Sequence, residues 1–411
     1  MDVSNLNIRH LRVFRQVCEC GSLNRASSNL NISQPSISVA ITGIEARFGS
    51  RLLERYAAGS APTAAGGILL VRLERMEAQL GKAVSDLLGA SAERDAGLPV
   101  KILSRISLHQ MRSLIALANG SSITETARKL DASPAALHRA LHGLQDNIGR
   151  TILIRNPSGV TLNTGGHRLA MRWQVALTEL DQAVDEMREA EGRIEGRIRV
   201  ASLPLARTLL LARAINPLLT AYPKARVEVI DGSYELLSQQ LRIGTTDILI
   251  GALRSGYDIH DLRTEPLFDD PYAIVGRSGH PYQADDGNGV TLQQLATQQW
   301  VAQTSGTPIR AAFDTLFEGT PPPKASIETS SLVLTRAIIL ESDRLAMLSR
   351  RQIAIEEKEG LLRCIPVTGD VLKRLGTRTI GLTVRANWMP SKLQQDFIQN
   401  LRHAAIQLVS H

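Results

Sequence analysis

Residues 8 to 86 of this 411-residue chain recur at 108 to 186 without an insertion or deletion. At a constant offset of one hundred, Arg12, Ser22, Leu30, Ser33, Ala40, Gly43, Gly49, Leu53, Arg55, Gly59 and Gly66 return as Arg112, Ser122, Leu130, Ser133, Ala140, Gly143, Gly149, Leu153, Arg155, Gly159 and Gly166. An internal duplication of this kind constrains the fold before anything else does, because any core that one copy builds must also be buildable by the other.

The apolar spacing shows what is duplicated. Leu11, Phe14 and Val17 recur every three residues along one face of a helix that ends near Gly21. Ser22 is placed to cap a second, short helix, Leu23 to Leu30, with Leu23, Ala26 and Leu30 on its buried side. Asn31 and Ile32 make a turn. A third helix opens at Ser33, carries Gln34 and Pro35 in its first turn where a missing N–H does no harm, and buries Ile37, Ile41, Ile44 and Phe48 before Gly49 stops it. This is a helix-turn-helix layout.

The third helix turns Gln34, Ser36, Ser38, Val39 and Thr42 away from its apolar stripe. Short, mostly polar, uncharged side chains of this sort can enter a major groove and reach base edges. Leu52 to Tyr56 then reads as a strand and Ala57 to Pro62 as a turn, together a small wing. Arg47, Arg51 and Arg55 flank it and could contact phosphates, which sets register rather than sequence. Taken singly, Ser33 is an ordinary cap and each arginine an ordinary solvated charge.

The run from Leu11 to Gly66, including "GSLNRASSNLNISQPSISVAITGIEARFGSRLLERY" and "PTAAG", closely resembles the winged helix-turn-helix of LysR-type transcriptional regulators. The shared features are the Ser33, Gln34, Pro35 opening of the recognition helix, the later Ser38, Glu45 and Gly49, the wing strand ending at Arg55, and the Thr63 to Gly66 entry into a linker helix. The resemblance implies base readout by Ser33, Gln34, Pro35, Ser36, Ser38, Val39 and Thr42. Val39 departs from the pattern, since the family commonly has a basic residue there.

The second copy retains the scaffold through Met111, Leu114, Leu117, Ile123, Leu130, Leu137, Leu141, Leu144 and Ile148. Its outward face differs: Pro134, Ala135 and Ala136 stand in for Gln34, Pro35 and Ser36, and His138, Arg139 and His142 for Ser38, Val39 and Thr42. Residues 101 to 166 carry a net +5, against +3 for residues 1 to 66. Three roles stay open for this copy: reading a second DNA element through Arg139, gripping backbone without sequence preference, or serving as a dimerising scaffold.

Each copy continues into a proline-free helical stretch, 67 to 88 and 167 to 193. In the second, Leu169, Trp173, Leu177, Leu180, Val184 and Met187 form a narrow seam suited to pairing with another helix. The resemblance implies that such helices mediate dimerisation. Residues 89 to 104, beginning "GASAERDAGLPVK", read as a linker short enough for both winged domains, 8 to 66 and 105 to 166, to engage DNA together.

From about Gly196 strands alternate with helices: Ile198 to Ala201, a helix over Leu205 to Tyr222, Val227 to Ile230, a helix over Tyr234 to Ile243, and Asp247 to Leu253. A second set follows from a strand at Tyr272 to Val275, and the chain returns at Arg378 to Arg385 before a closing helix from Ser391. Such alternation predicts parallel sheets with crossover helices and a cleft at the strands' carboxyl ends. Residues 196 to 411 resemble the family's effector-binding domain, which shares its fold with periplasmic solute-binding proteins. The expected fold is therefore multidomain: two all-α-rich winged helix-turn-helix domains followed by a two-lobed α/β, periplasmic-binding-protein-like domain.

The resemblance places the effector-binding residues Ser202, Leu203, Pro204, Arg207 and Thr208 after the first strand. Gln303, Thr304, Ser305, Gly306 and Thr307 form the facing rim, with Arg310 and Ser342 nearby. Free N–H groups at a helix start favour an anion, so a carboxylate or sugar derivative is the ligand class expected. Each Ser or Thr alone reads as an ordinary N-cap.

The +7 net charge and a pI near 9.5 favour a polyanion. The longest leucine-rich run, "RTLLLARAINPLL", is interrupted by Arg213, Asn216 and Pro217, and no signal-like start is seen, which argues against a membrane. Cys18, Cys20 and Cys364 make an odd count without metal-ligand spacing, as suits a reducing cytoplasm. No cofactor, metal or catalytic residue is expected, since there is no phosphate-cradling loop and no nucleophile with a paired base. The reading is a sequence-specific regulator that binds promoter or operator DNA and a small-molecule effector as a homodimer or homotetramer, with RNA polymerase a further candidate partner. The alternatives are an architectural DNA-binding protein that senses nothing and an α/β enzyme.

Overall fold

The computed structural model describes residues 6–56, 59–120, 122–157, 159–203, 209–254, 261–282, 289–321, 323 and 325–409. They form two compact units, Met1–Gly196 with Arg242–Gly244, and Arg197–Leu241 with Thr245–His411.

The first unit opens with α1 (Ile8–Cys20), α2 (Leu23–Leu30), α3 (Gln34–Phe48) and the hairpin β1 (Leu53–Tyr56) and β2 (Gly59–Pro62). After α4 (Ala64–Leu88), α5 (Ala90–Arg94) and α6 (Leu98–Arg105), the pattern returns as α7 (Leu108–Ala118), α8 (Ile123–Lys129), α9 (Pro134–Ile148), β3 (Leu153–Asn156), β4 (Gly159–Leu162) and α10 (Thr164–Ala190). Local chemistry starts and stops these helices at matching positions. Ser22 and Ser122 cap α2 and α8, Ser33 and Ser133 cap α3 and α9, and Gly49 and Gly149 end α3 and α9 at φ +64° and +69°.

The stretch from 89 to 104 is not structureless. It holds α5 and α6, and α6 buries Pro99, Ile102 and Leu103. Its polar composition concealed a short amphipathic turn. The two long helices α4 and α10 pack along each other, and their apolar stripes, including Leu73, Met76, Leu80, Trp173, Leu180 and Val184, belong to a core that runs continuously from Leu6 to Met187. The seam on α10 thus has its partner helix on the same chain.

The second unit runs β5 (Arg197–Ser202), α11 (Leu209–Ala221), β6 (Arg226–Asp231), α12 (Tyr234–Arg242), β7 (Ile248–Ala252), β8 (Leu262–Arg277), α13 (Leu292–Ala296), β9 (Trp300–Ala302), α14 (Pro308–Leu316), β10 (Ala325–Glu328), α15 (Leu332–Leu340), β11 (Leu345–Ser349), a 3-10 turn over Arg350–Ile353, α16 (Ala354–Lys358), β12 (Leu362–Cys364), α17 (Gly369–Leu375), β13 (Thr377–Arg385) and α18 (Lys392–Val409). Strands β6, β5 and β7 are parallel, as are β10, β9 and β11.

Between these parallel sets lie β8 and β13, both antiparallel to their neighbours. The short strand expected at Tyr272 to Val275 is the end of a 16-residue strand that serves both half-sheets: residues from Leu262 to Pro271 pair with β13, and Tyr272 to Val275 with β11. Pro266, Pro271 and the acidic pair Asp269 and Asp270 masked its continuity. A bulge between Ile380 and Gly381 accommodates Pro266 opposite Gly381. At the handover Asp270 is fully buried and bonded by Arg351 (3.2 Å) and Arg378 (2.9 Å). Each half-sheet has its own core: Tyr234, Leu237, Leu241 and Leu249 in one, Trp300, Phe313 and Phe317 in edge-to-face contact in the other.

Candidate functional site

The outward face of α3 is built from its cap. Ser33 Oγ accepts the Ser36 N–H at 3.3 Å and lies 2.8 Å from Ser36 Oγ. Ile37, Ala40, Ile41, Ile44 and Phe48 are drawn into the core. The opposite side then presents Gln34, Pro35, Ser36, Val39 and Thr42 to solvent, with Ser38 half-buried. Val39 is 68% exposed.

The wing is fixed to this helix by Glu45, whose Oε1 accepts the N–H groups of Leu52 (2.8 Å) and Leu53 (3.3 Å). Gln145 does the same for Ile152 and Leu153 in the second copy, at 3.1 Å each. Arg55 is exposed on β1 opposite Ser60, while Ala57 and Ala58 lie outside the described residues. Thr63 donates to Arg51 O at 2.7 Å and caps α4; Asn163 repeats both bonds with Thr151 O and Gly166 N. At Gly66 a Cβ would stand 2.0 Å from Leu52 O, so only glycine lets the wing strand lie this close to the helix.

On α9 the equivalent face holds exposed Arg139 between His138 and His142. The two histidines are tied together, Nε2 to Nε2 at 3.1 Å with ring centroids 4.2 Å apart. One ring must donate and the other accept, so while they bond each other both Nε2 atoms are engaged. The four-residue spacing on a helix was the available signal for this pairing.

In the second unit, Ser202 ends β5 fully buried, its hydroxyl 3.3 Å from Leu203 O, and Leu203 N–H donates to Ile250 O. Pro204, Arg207 and Thr208 lie outside the described residues. The loop after β9 is self-contained: Thr307 donates to Thr304 O at 3.0 Å and caps α14, and Ser305 is exposed. Arg310, expected near this rim, already has its partners on the same chain. Its guanidinium bonds Glu328 (2.7 Å), Asp314 (2.9 Å) and Gln303 O (3.1 Å), and the two carboxylates, Glu328 foremost, hold its pKa above the ordinary value. It braces the loop. Ser342 likewise donates to Ile338 O at 2.7 Å, finishing α15.

A cleft of about 450 Å³ elsewhere in this unit is lined by Leu209, Leu210, Arg213, Phe268, Arg351 and Leu408, among others. None of the described residues expected to bind effector lines it. Its walls come from separate segments, so no local sequence pattern announces it. Among the described residues no group of three or more His, Cys, Asp or Glu is placed to hold a metal ion, and no helix is long and apolar enough to cross a membrane.

Residues 191–405 match the LysR substrate binding domain, and residues 8–67 and 108–167 each match the bacterial regulatory helix-turn-helix protein, lysR family. The chain is 30% identical over 394 residues to the HTH-type transcriptional regulator GalR of Pseudomonas putida, covering 95% of both chains. It is 27% identical to the HTH-type transcriptional regulator PcaQ of Agrobacterium fabrum over 74% of this chain and 96% of the relative. Among solved structures it resembles a full-length OxyR variant from Pseudomonas aeruginosa in fold, with a TM-score of 0.53 and 21% identity over 72% of this chain and 93% of that one. With a domain match over half its length, a helix-turn-helix match in both copies and a relative aligned nearly end to end, the chain belongs to the LysR family of transcriptional regulators.

Proposed function

We propose that base readout is carried by Gln34, Ser36, Ser38, Val39 and Thr42 of α3 and by Arg139, His138 and His142 of α9, with Ser33 and Pro35 fixing the helix start and Arg55 on the phosphate backbone. The observation that carries this reading is the outward, solvent-exposed side of α3 opposite its fully buried stripe. The protein works in the cytoplasm on promoter or operator DNA, catalyses no reaction, and assembles as a homodimer or homotetramer within reach of RNA polymerase. A small anionic effector is held at the strand ends of the second unit by Ser202, Leu203, Pro204, Arg207 and Thr208, facing Thr304, Ser305 and Thr307. Arg310 and Ser342 contribute by bracing those loops. Effector binding shifts the population of domain arrangements and so the spacing of the DNA-reading heads.

The test is fluorescence anisotropy of the intact protein on its own upstream DNA over a salt series. Gln34→Ala with Ser36→Ala should weaken the preferred site by about 1–3 kcal/mol and relax its specificity. Arg139→Ala should cost less on that site and lower the salt slope by about 1. Steep, sequence-indifferent binding unmoved by a panel of small carboxylates would favour an architectural protein instead.

A further inference from the structure

The contacts between the two copies, centred on α4 and α10, obey a rule that neither copy could impose alone. Arg72 of the first copy bonds Glu186 of the second at 2.5 Å, and the equivalent Arg172 of the second pairs with Asp86 of the first. Ser50 bonds Glu191 at 3.1 Å, and the equivalent Arg150 bonds Ser91 at 2.8 Å. Gln79 meets its own equivalent, Glu179, at 3.0 Å. When a residue of copy one meets a partner in copy two, and the equivalent residue of copy two meets the equivalent partner in copy one, the two copies are related by a two-fold axis. A residue touching its own equivalent lies on that axis. The helices are therefore antiparallel about a pseudo-two-fold axis passing between Gln79 and Glu179.

We infer that one chain is by itself a complete two-headed reader, whose pseudo-dimer places α3 and α9 on two half-sites of unlike sequence in one DNA duplex. This rests on the DNA reading proposed above. The frame is symmetric while the faces are not: Gln34, Ser36, Ser38, Val39 and Thr42 on one head correspond to Pro134, Ala136, His138, Arg139 and His142 on the other. Two-fold heads on identical faces select a palindrome; two-fold heads on unlike faces select two different half-sites, about one helical turn or a multiple apart. The buried ionic cluster favours this pairing over pairing in trans. Arg72 is fully buried against Glu179, Gln182 and Glu186, whereas the rim pair Arg172 and Asp86 is half-exposed. A second chain in the same register would have to break that cluster before it could re-form it.

Two measurements on the full-length protein test the inference. In a background with Cys18, Cys20 and Cys364 changed to serine, Asp86→Cys with Arg172→Cys is treated with a short bismaleimide and the product's intact mass recorded. Modification bridging both cysteines at the mass of one chain is expected. A two-chain product, or no bridge with both thiols singly modified, overturns pairing in cis. The second measurement avoids the cysteine background: footprinting of the wild-type protein should show two protected patches of unlike sequence. Gln34→Ala with Ser36→Ala should remove one, Arg139→Ala with His142→Ala the other, and mixing the two variants should not restore the pair on one duplex. Restoration, or a single protected patch for wild type, overturns the two-headed reader. Complete absence of protection with an intrachain bridge would instead remove the DNA reading beneath it.

Discussion

Replacing Arg72 by methionine keeps an unbranched side chain of similar length in the α4 and α10 seam but removes its charge. Glu179 and Glu186 are left with side chains only 6% and 18% exposed. Desolvation pulls the Arg72 pKa down, but hydrogen bonds to Glu186 and Glu179 outweigh it and raise the pKa above the ordinary value, so the cation is held by its partners. Breaking a buried ion pair by deleting one partner typically costs about 3–5 kcal/mol. Glu179 keeps Arg75 at 3.2 Å and Gln79 at 3.0 Å, so the lower end applies, about 3 kcal/mol. For a unit of this size that lowers Tm by about 6–12 °C.

Trp173 gives a local probe, because it is fully buried on α10 and the other tryptophans, Trp300 and Trp388, lie in the second unit. Urea unfolding followed by its fluorescence, with Trp300→Phe and Trp388→Phe in the background, reads the first unit alone. Adding Glu179→Gln and Glu186→Gln to Arg72→Met should recover a large part of the loss, since the penalty is the stranded negative charge rather than missing volume. A loss below about 1 kcal/mol, or no recovery in the combined variant, would refute the reasoning.

Gly66→Ala should destabilise the first winged domain by about 1–3 kcal/mol because its Cβ meets a backbone carbonyl, whereas Gly67→Ala, which meets nothing within 4 Å, should stabilise α4 by about 0.5 kcal/mol; thermal melts separate the two. Burial, with Glu19 adding to it, pushes the Cys18 thiol up to about 11, and burial with Glu357 does the same for Cys364. Both should stay thiols at pH 7.5 and alkylate with iodoacetamide many times more slowly than a free cysteine peptide; modification at peptide-like rates would contradict this. Asp270→Ala should cost the second unit about 3–5 kcal/mol by stranding Arg351 and Arg378 where β8 passes between half-sheets, a loss that calorimetry would register as a lower Tm for that unit.

Much of the fold was legible because it is written in short-range chemistry. Serine caps, left-handed glycine stops and three- and four-residue apolar spacing act within one or two turns, so both copies of the winged helix-turn-helix could be traced residue by residue, together with the solvent face of α3. The site proposed in the second unit was readable only as topology: loops at strand ends can be located by alternation, but nothing next to Arg310 in sequence announces Glu328, eighteen residues away, as its partner. The His138 and His142 pairing had a local signal in its spacing, and the linker helix α6 had a weak one in Pro99, Ile102 and Leu103.

The sequence by itself determined that two equivalent units exist, where their helices begin and end, and which faces are apolar, since offset, capping and periodicity are properties of neighbouring residues. Only the tertiary structure decided that α4 and α10 cover each other, that Arg72 meets carboxylates more than one hundred residues away, and that β8 runs through both half-sheets. An apolar seam states that a helix needs a partner without naming it. The partner is selected by long-range packing and by charges that must find their counterions once water is removed.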